Sequence, residues 1–267
     1  MSKVVLITGG SSGIGKAVGE FLHHKGFTVY GTSRNPARIT NSIFPLLPLD
    51  VRNPESIQVA VAEIIQKSGR VDVVINNAGV GITGPLEEIP TPEIKNNFET
   101  NFFGPIEVMK AVLPQMRFQK SGLIINITSI AGYMGLPYRS VYSASKGALE
   151  LITEALRMEV KSFGIHITNI APGDFATNIA SGRFHAPLIK GSAYEDMYGK
   201  TLQMMDEHVN QGSNPDDMAN AIFSIIQNPS PNIHYKVGSF LQKFSIVLKR
   251  ILPDKQYEKM LMKHYKL

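Results

Sequence analysis

Short apolar runs rich in β-branched residues alternate along this chain with longer stretches in which apolar residues recur every three or four positions. The runs Val4 to Thr8, Thr28 to Ser33, Leu46 to Leu49, Val71 to Asn76, Gly122 to Ile127 and His166 to Ile170 predict strands. The stretches Ser12 to Lys25, Pro54 to Lys67, Pro92 to Arg117, Val141 to Phe163 and Pro215 to Gln227 predict helices. Val237-Gly238 ends a last short strand. Strand and helix in alternation predict an α/β protein with a doubly wound parallel sheet flanked by helices. There is no internal repeat, low-complexity tract or interdomain linker. The expected organisation is one domain over 1–238 and an amphipathic helical extension over 239–267.

Composition narrows the class. A chain of 267 residues can bury one large core, and its length does not demand a second domain. Hydrophobic residues at 43% and charged residues at 18% suit a globular enzyme rather than a disordered chain. Without cysteine there are no disulfides, thiol nucleophiles or cysteine-ligated metals. The histidines show no metal-ligand spacing, and His23-His24 reads as a solvated pair, so no metal is expected. Val4 enters a strand at once, leaving no room for a signal peptide, and no apolar run nears the ~20 residues of a spanning helix. These features predict a cytoplasmic location and leave peripheral membrane contact open.

The first strand runs into Thr8-Gly9-Gly10-Ser11-Ser12-Gly13-Ile14-Gly15 and then a helix. Strand, glycine turn and helix form the context of a dinucleotide site. Gly9 permits the tight turn, Gly13 lets the backbone approach a pyrophosphate, and Gly15 lets helix and strand pack closely. Backbone N–H groups of Ser11, Ser12, Ile14 and their neighbours would face the phosphates at the positive end of the helix. The second strand ends at Ser33, with Arg34 next. An acidic residue there would favour NAD by binding the ribose hydroxyls. A guanidinium with no carboxylate beside it can instead grip a 2′-phosphate. NADP(H) is the expected cofactor; the alternative is a surface Arg34 and a site that also takes NAD(H).

Tyr142 and Lys146 stand four residues apart on a predicted helix and share one face. Free Tyr and Lys titrate near ~10 and ~10.4, so neither alone is a good acid or base at neutral pH. Beside a fixed ammonium a phenolate forms more readily, and such a pair can move a proton to or from a substrate oxygen.

The pattern T-G-x-x-x-G-x-G, followed in order by Asn76-Asn77-Ala78-Gly79, Asn101, Ser129 thirteen residues before Tyr142, and Pro172-Gly173 with Thr177, resembles the short-chain dehydrogenase/reductase family from Val4 to about Asn228. The resemblance implies a Rossmann-type fold and interconversion of a ketone or aldehyde and an alcohol. Tyr142 would be the general acid or base, Ser129 would hold the substrate oxygen, and Lys146 would assist Tyr142 and bind the nicotinamide ribose. Asn101 would hold a water linking Lys146 to solvent. Asp50 and Val51 would contact the adenine, Asn77, Ala78 and Gly79 would border the cofactor, and Pro172, Gly173 and Thr177 would lie beside the nicotinamide. Read as residues alone, Asp50 could cap the helix before Pro54, Ser129 or its neighbour Thr128 could cap a strand end, and Asn101 could simply satisfy backbone groups.

The same resemblance makes 178–212 the substrate lid and pairs subunits, as a homodimer or homotetramer, through the helices Pro92 to Arg117 and Val141 to Phe163. Phe184, Tyr194, Met197, Tyr198, Met204 and Met205 in the lid, with Leu136, Pro137 and Tyr138, suit an apolar pocket or pack the lid onto its own domain.

The 239–267 extension carries seven Lys/Arg and two Asp/Glu, which is the whole chain's formal excess of +5. Phe240, Leu241, Phe244, Val247, Leu248 and Ile251 recur at helical spacing, and a second amphipathic stretch follows Pro253 through Tyr257, Met260 and Leu261. Such a helix can rest on an anionic membrane or pack on protein, either the lid or a second subunit. With this tail the chain is most similar to the 17β-hydroxysteroid-dehydrogenase-like and retinol-dehydrogenase-like branch, which implies a lipophilic steroid-, retinoid- or keto-lipid-like substrate, 3-ketosphinganine among them. Nucleic acid is not an expected partner, because the body is neutral and no recognition motif is present. A non-catalytic NADP-binding regulator, or an interaction protein recruited to membranes by the tail, is the alternative function. The complete Asn101, Ser129, Tyr142 and Lys146 set argues against the regulator.

Overall fold

The computed structural model describes residues 2–175, 182–210 and 214–267, with the backbone alone for 206–210. The strands are β1 (Val4–Ile7), β2 (Thr28–Ser33), β3 (Leu46–Pro48), β4 (Val73–Asn76), the short β5 (Ile82–Thr83), β6 (Gly122–Ile127), β7 (Ile165–Pro172), the short β8 (Phe184–His185) and β9 (His234–Val237). The helices are α1 (Gly13–His24), α2 (Pro54–Ser68), α3 (Thr91–Phe98), α4 (Gly104–Gln119), α5 (Ser140–Val160), α6 (Glu195–Asn210), α7 (Pro215–Gln227), α8 (Phe240–Ile251) and α9 (Asp254–Tyr265).

Seven strands form one parallel sheet in the order β3-β2-β1-β4-β6-β7-β9, with every pairing parallel. The order reverses at β1, and the crevice beyond the carboxyl ends of the strands at that reversal is where such sheets bind ligands. Strand periodicity divides the core. Val4 and Leu6 point to the face covered by α2 and α4, packing with Ile57, Ile64, Val108 and Met116. Val5 and Ile7 point to the face covered by α1 and α7, packing with Val18, Leu22, Ile222 and Ile226. Helices on both faces explain why the strands read as continuous apolar runs.

The helix expected over Pro92 to Arg117 is interrupted. A π-helical turn over Glu99–Phe103 joins α3 to α4, and the Gly104 N–H reaches back to the Glu99 carbonyl. Pro105 has no N–H to give the Asn101 carbonyl, so a regular α-helical bond is unavailable there.

The segment expected to form a lid holds elements that its periodicity does not mark. It contains α6, and β8 pairs in parallel with β5, tying it to the loop after β4. Tyr198 of α6 is buried in a cluster with Ile82, Ile89, Val141 and Ala186. Its hydroxyl lies 3.2 Å from the Thr83 carbonyl and 3.1 Å from that of Ala186. This tyrosine packs the segment onto its own domain. Met205 is likewise buried. The extension folds as α8 and α9, and α8 opens with a capping box between Ser239 and Gln242. Among the described residues no helix is long and apolar enough to cross a membrane.

Candidate active site

The turn after β1 is held by a polar lock to the turn after β4. Thr8 Oγ1 accepts from the N–H groups of Asn77 and Ala78, each at 3.0 Å. Asn77 Nδ2 donates to the carbonyls of Thr8 at 2.9 Å and Gly9 at 3.1 Å. Gly9 sits at φ +65°, a conformation that favours glycine, and an added Cβ would stand 3.1 Å from Ala78 Cα. Gly15 lies beneath this lock, where a Cβ would overlap Asn77 Nδ2 and the Gly9 carbonyl. Its lack of a side chain is what lets the helix and the lock pack closely.

The lock shapes one wall of a cleft of about 640 Å³. Gly9, Ser11, Ser12, Gly13 and Ile14 line it at the start of α1, and Asn77, Ala78 and Gly79 line it after β4. Ser12 caps α1 by position without a side-chain hydrogen bond, and no acidic residue occupies the first turn. The positive helix end therefore opens into the cleft, as a phosphate requires.

Ser33, Arg34, Asp50 and Val51 line the far end. Arg34 is exposed. Asp50 does not cap α2: Asn53 does, accepting from the N–H groups of Glu55 and Ser56. Asp50 instead holds Arg52, whose Nε and Nη2 donate to its two carboxylate oxygens at 3.2 and 2.8 Å. That hydrogen bond is the main reason the Asp50 carboxyl lies below the usual range, with partial burial opposing it and Arg34 adding a smaller favourable charge. Arg52 also donates to Asn96 at 2.9 Å and lines the cleft. Sequence reasoning passed over Arg52; its spacing two residues from Asp50, at a strand end, was the available signal.

At the inner end of the cleft stand Tyr142 and Lys146, one turn apart on α5. Lys146 is buried, and its Nζ donates to the Ile127 carbonyl at 2.9 Å. Burial holds its ammonium below the ordinary lysine range, while Tyr142 and Glu150 are close enough to oppose that shift. Ser129 lies two residues beyond Ile127 and is buried. It opens a short helical turn, its hydroxyl accepting from the Ala131 N–H at 3.2 Å. Gly132 in that turn packs on α5 so tightly that a Cβ would stand 3.1 Å from the Lys146 carbonyl carbon. The end of β6 thus places the serine two residues beyond the carbonyl that holds the lysine, and Ile127 and Thr128 line the cleft there rather than Ser129. Thr128, the other capping candidate, bonds across to Ile170.

Asn101 sits fully buried in the π-helical turn. Its Nδ2 donates to the Val80 carbonyl, and its Oδ1 accepts from the Val80 N–H, both at 2.9 Å. A weaker contact of 3.3 Å reaches Ser145 Oγ on α5. A Cβ on Gly79 would lie 3.2 Å from Asn101 Oδ1 and 3.5 Å from Lys146 Nζ, so the two side chains face one narrow space. Pro172 lines the cleft. Gly173 is covered by the Gln242 side chain of α8, which donates to Asp174 at 2.8 Å. Thr177 lies outside the described residues.

Three more side chains escaped the sequence reading. The Arg139 guanidinium lies 5.4 Å from the centre of the Tyr142 ring. Buried Tyr265, from α9, lies near enough to Arg139 to feel its positive charge, so the extension reaches the corner that holds Tyr142. Glu150 is buried one turn past Lys146 and accepts from Tyr133 at 2.9 Å and Asn169 at 3.0 Å, with His234 Nδ1 at 2.8 Å. A carboxylate four residues after the lysine was its only trace in the sequence.

A cleft at the sheet's reversal point that opens on a helix N-terminus and ends at a tyrosine and a buried lysine is the arrangement of a nicotinamide-dependent oxidoreductase. Residues 3–187 match the family model described as short chain dehydrogenase, and the chain belongs to the short-chain dehydrogenase/reductase family. It is an oxidoreductase acting on alcohol and carbonyl groups of small molecules. A relative from Bacteroides thetaiotaomicron, a 3-ketodihydrosphingosine reductase, is 41% identical over 253 residues, covering 94% of each chain. A short-chain dehydrogenase structure from Streptomyces avermitilis superimposes with a TM-score of 0.82 at 33% identity, covering 97% of this chain and 98% of that one. The structure of ElxO with NADP bound gives 0.71 at 30% identity, covering 89% of this chain and 97% of that one.

Proposed function

We propose that this protein is an NADP(H)-dependent reductase of a lipophilic ketone, with a 3-keto long-chain base as the leading substrate. The observation that carries the substrate is the end-to-end similarity to the Bacteroides 3-ketodihydrosphingosine reductase. The residues present fit the dinucleotide: a glycine cradle with a left-handed turn at Gly9 and no room for a Cβ at Gly15, a helix end free of acidic residues, and a guanidinium at the far end of the cleft. Ser11, Ser12, Gly13 and Ile14 would hold the phosphates, Arg34 the 2′-phosphate, Asp50 and Val51 the adenine, and Lys146 the nicotinamide ribose. Asn77, Ala78, Gly79, Pro172 and Gly173 would border it. The preference for NADP(H) over NAD(H) rests on Arg34, and the ElxO structure shows that a relative at 30% identity takes NADP. When bound, the nicotinamide supplies the hydride.

The protein's own part is proton transfer and charge stabilisation. Tyr142 gives its phenolic proton to the oxygen on which negative charge grows, and Ser129 hydrogen-bonds that oxygen and fixes its position. Lys146 stabilises the negative charge then left on Tyr142. Its burial keeps that charge interaction strong, because little water screens it. Asn101 holds the loop after β4 in register with α5. Exposed Phe103 and Phe118 on the α3–α4 rod and Leu151 and Met158 on α5 supply apolar surface for a homo-oligomer.

The test is NADPH consumption with ketones graded from small and soluble to long-chain keto-bases, with NADH in parallel and product identified by mass. Turnover should rise with chain length and require NADPH. Tyr142→Phe should lose turnover at least ~100-fold while NADPH binding persists. Equal loss of NADPH affinity in that variant would remove Tyr142 from the acid/base role.

A further inference from the structure

Helix α8 is turned the wrong way round for a helix that serves only the fold. Phe240, Phe244, Val247 and Ile251 recur at i, i+4, i+7 and i+11 and so form one stripe. Such a stripe ordinarily faces the core. Here these side chains are 73%, 41%, 41% and 72% exposed, while Ile246 from the other side of the helix is the one buried, at 1%. The Phe240 and Phe244 rings stack on each other with centroids 5.6 Å apart, inside the stripe. Lys243 and Arg250 flank it and are exposed.

Helix α9 has the opposite arrangement. It buries Tyr257 and Tyr265 against the body and turns Lys255, Lys259, Lys263 and Lys266 to solvent. Apolar outer surface and basic outer surface thus lie on consecutive helices, and all the formal excess charge of the protein lies with them. A second copy laid on this face in two-fold symmetry would bring lysines against lysines, because an isologous contact pairs a patch with itself. A bilayer with anionic headgroups meets both requirements: phosphates for the lysines and acyl chains for the phenylalanines.

We propose that α8 docks the protein on an anionic membrane surface, with Phe240, Phe244, Val247 and Ile251 entering below the headgroups and Lys243 and Arg250 lying at their level. The helix that carries the docking face touches the catalytic corner with its opposite side. Gln242, on the same helix, covers Gly173 and bonds Asp174, and α8 packs on the turn that follows Ser129. A lipophilic substrate would thereby pass from bilayer to cleft with a short path through water. The docking rests on α8 and its charges and does not depend on which ketone is reduced.

The experiment is co-sedimentation of the full chain with vesicles of phosphatidylcholine plus phosphatidylglycerol, against phosphatidylcholine alone. The protein should pellet with the anionic vesicles at low salt and be released as salt shortens the Debye length to ~3 Å near 1 M. The double variant Phe240→Ser/Phe244→Ser should lower the partition coefficient at least ~tenfold. Lys243→Glu/Arg250→Glu should lower it and flatten the salt dependence. Unchanged thermal melts would show both variants folded. Equal partition to neutral and anionic vesicles, or a serine variant that pellets like the parent, overturns the proposal. So does sedimentation velocity in which the parent is an oligomer that the serine variant dissociates, since a second copy then covers the stripe. Failure of the ketone assays with vesicle binding intact would count against the substrate reading alone.

Discussion

Asn101 and Val80 exchange two hydrogen bonds of 2.9 Å, one in each direction, between a π-helical turn and the loop after β4. The Val80 carbonyl has a second donor in Asn97 Nδ2 at 3.0 Å, whereas Asn101 is the partner of the Val80 N–H. Removing the amide thus leaves a partly buried donor without its acceptor, at a cost of about 1–3 kcal/mol. Asn101→Ala is expected to lower the urea midpoint accordingly. It should also lower kcat at least ~tenfold, because small displacements of a catalytic wall are costly. Full activity at reduced stability would confine Asn101 to a structural role.

The buried Lys146 makes a prediction about pH. Burial depresses its folded-state pKa below the ordinary 10.5, with Tyr142 and Glu150 only partly opposing. Between the depressed value and 10.5 the unfolded chain binds more protons than the folded one, so this group's contribution to stability rises with pH across that window. Below it, the buried ammonium is a standing penalty. The cofactor-free protein should therefore gain stability relative to Lys146→Met as pH rises toward 10.5. Urea midpoints of both proteins from neutral to alkaline pH provide the check, and a gap that moves the other way refutes the assignment.

Arg34 stands at the end of the cleft where a 2′-phosphate would lie. A hydrogen bond to a charged group is worth about 1.5–3 kcal/mol, so Arg34→Ala should raise the NADPH dissociation constant ~10–100-fold. NADH binding should change little. Fluorescence titration with both nucleotides distinguishes this from an arginine that merely occupies the surface, for which both affinities stay constant.

Close packing at Gly15 has a cost that can be measured. A methyl group there overlaps Asn77 Nδ2 and the Gly9 carbonyl, and forced repacking of this kind costs about 1–3 kcal/mol. Gly15→Ala is expected to melt earlier and to bind NADPH more weakly. Gly135→Ala, where an added Cβ meets open space, is the matched control and should stay within about 0.5 kcal/mol of the parent.

Much of the site could be read from spacing. Tyr142 and Lys146 fall on one face of α5, Gly9 takes a left-handed turn, and Gly15 stands where a side chain has no room. Asp50 was legible as a candidate, and it lines the cleft, whereas its partner Arg52 and the capping role of Asn53 were not legible. Capping is a competition among neighbouring side chains for the same N–H groups, and only the folded turn shows which one wins. The aromatic residues of the segment expected to form a lid had two readings for a similar reason. Tyr198 is core because its hydroxyl finds carbonyls at Thr83 and Ala186, one of them 115 residues away in the chain.

The sequence by itself determined the alternation of strand and helix, the order of the motif residues and the amphipathic character of the extension. Each of these follows from periods of two and of three to four residues, which the backbone imposes locally. Tertiary structure alone decided which way the faces point. Helix α9 turns its apolar side inward because Tyr257 reaches Met134, 123 residues earlier, and α8, carried along with it, is left with its phenylalanines outward. A helical repeat of apolar residues fixes only that a helix has two unlike faces; the contacts made by distant segments determine which of them meets protein.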